Sequence, residues 1–219
     1  MLLNTRFILP EAVPMPYCRR KGARGVLMAQ RRSWLTLGSL LLACLFAAPV
    51  ANVLAWDLQG VKTITAITRD QQRITLGSVR FEPRADGSIA FAVTMEPARF
   101  TDHFLSMKEF KCLDSQDEVV CHVPYPHAQP GIVTSKDMAW LEHNLLFLYQ
   151  LPTDFGAKLW NGLYFQLERS EQGLRGTAQA IDLDYISAPP DDPEQPPYQP
   201  TLRDDIAPGV RWIESLTIE

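Results

Sequence analysis

Ser88-Ile-Ala-Phe-Ala-Val-Thr-Met-Glu96 alternates strictly, with Ile89, Phe91, Val93 and Met95 pointing one way and Ala90, Ala92 and Thr94 the other. Period-two alternation marks a β-strand with one face in a core. The second face is small and only weakly polar, so it too is expected to be covered, as in a sandwich. Upstream, the β-branched run Val61–Thr68 predicts another strand. In Arg73–Glu82, Ile74 and Leu76 share one parity, Val79 and Phe81 the other, and Gly77-Ser78 lies between them. A bulge there would switch the buried face.

Downstream, Phe104–Cys112 and Val119–Val123 predict two strands around the turn-like Asp114–Asp117. Pro124–Gly131 is a loop stiffened by three prolines, and Thr134–Asp137 has the form of a capping box. Met138, Leu141, Leu145 and Leu148 then recur at three- and four-residue spacing, which predicts a helix over 138–149. Trp140, His143 and Phe147 fall on its other side. A helix apolar on both sides is usually sandwiched, so core packing against a second sheet or the Pro-rich arm is preferred for these three. If that side is uncovered, they form a candidate partner or ligand surface.

Thr153–Trp160 predicts one more helical turn, and strands follow at Leu163–Arg169, Leu174–Asp184 and Trp212–Glu219. Between the last two, the acidic Pro-rich stretch 188–200 predicts an extended arm within the domain. The fold class expected is therefore α+β and mostly antiparallel β. It would be a sandwich or partly open barrel of about seven or eight strands with one main helix.

The 219 residues are 46% hydrophobic and 21% charged, an ordinary globular composition. Residues 1–55 carry seven basic residues and one acid, whereas 56–219 carry 14 basic and 24 acidic ones. An acidic body repels phosphate backbones, which disfavours nucleic-acid partners. Within 28–55, Arg31-Arg32 precede an apolar run, Leu35–Val50, and Val53-Leu54-Ala55 offers a peptidase site. That is the layout of a secretory signal starting at Met28, with Trp56 the first mature residue and residues 56–219 a single globular domain. The apolar run is shorter than the ~20 residues that a membrane span needs, so no span is expected after cleavage. Arg31-Arg32 also resembles a twin-arginine signal, a weak sign because paired arginines are common in general leaders.

Cys18 and Cys44 fall in this leader, leaving Cys112 and Cys121 as a disulfide pair, the expected use of two cysteines in an exported protein. Eight intervening residues match neither redox nor close zinc spacing. Residues 56–219 contain no nucleophile elbow, phosphate loop, dinucleotide fingerprint or zinc-protease motif. His122 and His127 could approach a metal, and Asp182 and Asp184, two apart on a strand, could pair as acid and base or bind calcium. Solvated loop and strand-end residues are the simpler reading of both pairs. No cofactor, metal ligand or catalytic residue is assigned.

Lys111-Cys112-Leu113, Cys121–Pro126, Leu145–Leu148 and Trp160–Tyr164 together resemble a group of small exported Gram-negative proteins with no assigned activity. The resemblance implies a periplasmic setting and supplies no catalytic residues. The expectation is a non-enzymatic periplasmic domain that binds an envelope protein or small ligand. The alternatives are a barrel-type carrier of a small apolar ligand, or a metal-dependent hydrolase using the His122/His127 loop or Asp182/Asp184.

Overall fold

The β-branched and alternating segments become strands of one sheet. The computed structural model describes residues 57–219, so the leader and its two cysteines lie outside the described residues. In chain order the elements are β1 (Gly60–Thr68), β2 (Arg73–Pro83), β3 (Ile89–Met95), β4 (Thr101–Leu105), β5 (Lys108–Asp114), β6 (Val119–His122) and β7 (Ile132–Val133). There follow α1 (Ala139–His143), β8 (Phe147–Gln150), β9 (Gly162–Ser170), β10 (Gly173–Ile181), β11 (Asp204–Asp205) and β12 (Ile213–Ile218). The strands pair in the order β4-β5-β6-β8-β9-β10-β12-β1-β2-β3-β7, with β11 also on β10, and β4 and β7 end the open sheet.

The expected sandwich or partly open barrel of seven or eight strands with a main helix is therefore wrong in three respects. One open antiparallel sheet of twelve strands replaces it. Phe104–Cys112 is not one strand: Ser106 and Met107 take positive φ, 51° and 66°, and turn β4 back onto β5 in a tight two-residue hairpin. The helix is five residues long. Asp137 Oδ1 accepts the Ala139 N–H (2.9 Å), while Asn144 Nδ2 donates to Trp140 O (2.7 Å) at the far end. From Phe147 the chain is a strand between β6 and β9, with Leu148 opposite both Cys121 and Gly162. Thr153–Trp160 contains no helix.

The sheet curls so that distant strands share one core. Ile64 of β1, Leu76 of β2, Val120 of β6, Phe165 of β9 and Ile218 of β12 all belong to it. The expected bulge serves this core. Ile64 faces Gly77 and Thr65 faces Thr75, so Leu76 is the extra residue, and Leu76, Val79 and Phe81 are all buried in it despite opposite parities. Gly77 fits there because β3 comes close: a Cβ would lie 2.1 Å from Thr94 O. On β3 the large residues pack at the core's margin, but Ala92 and Thr94 are exposed, so its second face stays uncovered.

A second core lies on the other face of β5, β6, β8 and β9. Leu113, Val120, Phe147 and Phe165 face the first core, and Cys112, Cys121, Leu148 and Tyr164 face the second. What covers this second face is not another sheet. Trp140, the turn at Leu183–Ile186, and Tyr198 from the Pro-rich arm close over it.

Candidate functional site

Cys112 and Cys121 stand opposite each other on β5 and β6 and form a disulfide under the second core's cover. The other residues singled out by sequence, Trp140, His143 and Phe147, are all buried, at 7%, 0% and 0% exposure. They do not share a face, because the helix stops before Phe147, whose side chain belongs to the first core.

His143 instead holds the arm. Its Nδ1 lies 2.6 Å from Ala139 O, so that nitrogen carries the proton, and Nε2 accepts the Tyr198 N–H at 3.1 Å. The Tyr198 ring stacks on the imidazole with centroids 5.4 Å apart, and Tyr125 and Tyr164 meet it edge-on. Burial is the main cause that lowers the His143 pKa to about 4, so the imidazole is neutral. Arg203 lies over the Tyr164 ring and donates twice to Tyr198 O, while Tyr198 Oη donates to Asp182 O. Beside it, Glu142 accepts from Tyr164 Oη and from the Leu167 N–H. Burial pushes the Glu142 carboxyl up against the downward pull of those two hydrogen bonds. This network packs the arm down over the buried His143 and Tyr164.

Next to the clamp, the molecule has open space. A groove of about 700 Å³ runs between the β4–β5 turn, the loop 123–127, Ala157–Leu159 and the turn 183–187. Leu105, Phe110, Tyr125, Leu159, Leu183 and Ile186 line it, with His122 and His127 also in the wall. The two histidines do come to one groove, but each turns Nε2 to a backbone carbonyl, Asn144 O at 2.9 Å and Ile186 O at 3.0 Å. A carbonyl only accepts, so Nε2 of each ring carries a proton and Nδ1 is the nitrogen left with a lone pair. Burial also lowers the His122 pKa. Asp182 and Asp184 do not join them: Asp182 Oδ1 accepts the Asp184 N–H (2.9 Å) and caps the short turn over 183–186. Among the described residues, no group of three His, Cys, Asp or Glu could hold a metal.

The Tyr125 hydroxyl has no hydrogen-bond partner among the described residues, although the residue is buried. A buried polar atom of this kind invites explanation by a ligand or ordered water. Sequence reasoning missed the groove and the clamp's Tyr198, Glu142 and Arg203. The one local sign was a lone aromatic, Tyr198, set among prolines.

Compared with protein-family models, curated proteins and solved structures, the chain matches none. Its groove is therefore interpreted from its own geometry.

Proposed function

We propose that this chain is an exported, non-enzymatic binding domain and that the groove beside the Pro-rich arm is where it binds. The observation that carries this reading is the groove itself. It is sizeable, lies within the range of small-molecule sites and is mainly apolar. Each of its two histidines donates Nε2–H to a backbone carbonyl, and among the described residues no third His, Cys, Asp or Glu joins them in a metal-holding group. Export is supported by the paired Cys112 and Cys121, a use of cysteine characteristic of oxidising compartments, and by the signal-like order of residues 28–55. A periplasmic setting follows the resemblance to small exported Gram-negative proteins.

Native mass spectrometry of the protein recovered from its host's envelope tests both parts. The expected spectrum is a chain beginning at Trp56, two hydrogens lighter for the disulfide, and carrying an adduct. A Leu159→Glu variant, which puts a charge in the groove, should lose the adduct and keep the disulfide. A bare wild-type chain would remove the binding reading, and a chain retaining residues 28–55 would remove cleavage.

A further inference from the structure

We infer that the groove takes a single-chain amphiphile with an anionic head, its tail along the apolar lining and its head at Lys108. The inference rests on the groove being the binding site and adds the class of ligand. The apolar part follows from Leu105, Phe110, Leu159, Leu183 and Ile186 in the lining. A polar or sugar-like body would lose water there and gain few hydrogen bonds.

The head follows from charge. Lys111 is held by Asp102 and Glu109, and Lys158 by Asp154 at 2.6 Å. Lys108, also in the groove lining, has no carboxylate partner among the described residues and stands over the Phe110 ring, 5.5 Å from its centroid. The other charges of the lining, Glu109 and Lys111, pair with each other at 3.0 Å, so Lys108 is the ammonium that complements an anion attached to an apolar body.

The way in is apolar as well. Met107 and Phe155 are 93% and 94% exposed on two loops tied together where the Ala157 N–H donates to Ser106 Oγ (3.1 Å). Ser106 and Ala157 are themselves in the groove wall. Large apolar side chains this exposed beside a site suit a ligand delivered from a micelle or bilayer.

The test is calorimetric titration of the disulfide-bonded protein with laurate, with dodecanol as the control of equal tail length and no charge. Laurate should bind, and Lys108→Gln should weaken it about tenfold, as expected for loss of a charge-assisted contact, while dodecanol changes by less than about twofold. Lys108 is exposed, and a thermal melt confirms that the variant folds. If dodecanol binds as tightly as laurate and Lys108→Gln changes neither, the anionic head is wrong and the groove reading stands. If neither compound binds, the groove reading fails together with this one. A native adduct that proves to be a peptide would also overturn the amphiphile.

Discussion

The two cores are built on different principles. The first lies inside the curl of the sheet and is filled by strands from both its halves, so β1, β2, β9 and β12 meet around Ile64, Leu76, Phe165 and Ile218. The second lies outside and is roofed by loops, one short helix and an arm held by one imidazole, one guanidinium and one phenol. Strands supply most of the first, with the buried Glu118 accepting the Trp212 N–H at its margin. The second is specific because its polar groups are paired in one arrangement, and the larger open space lies beside it, about 700 Å³ against about 180 Å³ beside Ala178 and Ile206 of the first. Rigidity and a binding groove are thus divided between the two faces of the same four strands.

The largest effect should come from emptying each core in turn. Phe165→Ala is expected to cost about 3–5 kcal/mol and to shift the urea midpoint seen by every probe. Tyr198→Ala should cost less globally, about 1–3 kcal/mol, and should raise amide exchange mainly in residues 183–203. Equal global shifts with no local exchange would mean that the two cores melt as one and would break the comparison.

Acid should separate them next. His143 has a folded pKa of about 4 against an ordinary 6.5, so between those values the unfolded chain binds a proton that the folded chain refuses. Stability contributed by the neutral imidazole is complete above about pH 6.5 and falls as pH drops toward 4, by up to about 3 kcal/mol. Protonation also removes the acceptor for the Tyr198 N–H. His122, likewise lowered by burial, acts in the same direction. Glu142, whose carboxyl burial raises, gains stability as pH falls through the carboxylate range and offsets part of the loss. Denaturation midpoints between pH 7 and 4 measure the net slope, and His143→Phe should flatten it. A slope unchanged in that variant would show that the acid response lies elsewhere.

Reduction of Cys112–Cys121 should cost about 2–3 kcal/mol for so short a loop, and its effect should be the most local. Because the bridge faces the outer core, exchange should rise first in β4, β5 and β6. An equal rise in β1 and β12 would deny the separation.

Half of this division was legible in the residues. Alternation at Ile89–Met95, the parity switch around Gly77 and the facing cysteines each reflect a rule that operates over a few residues. The strand at Phe147–Gln150 was hidden because both its faces are covered. Its apolar run continues Met138, Leu141 and Leu145 at helical spacing, and only pairing with β6 and β9 decides between the two periods. The Ser106-Met107 turn contains neither glycine nor asparagine and carries no turn signature. The groove was illegible for a more basic reason: four segments far apart in sequence make its walls. The uncovered face of β3 shows the converse, since small weakly polar residues there proved to face solvent.

The position of β12 also governs the time course of folding. It lies between β10 and β1, and it alone joins the half of the sheet that begins at β1 to the half that ends at β10. Ile218 pairs with both Ile64 and Leu174, so residues near opposite ends of the described chain must meet before the sheet is continuous. Until then each half has an open edge and a partly exposed inner core. Contacts of such long sequence separation make closure slow, and the two halves of the sheet stay separate until the last strand, β12, has been made.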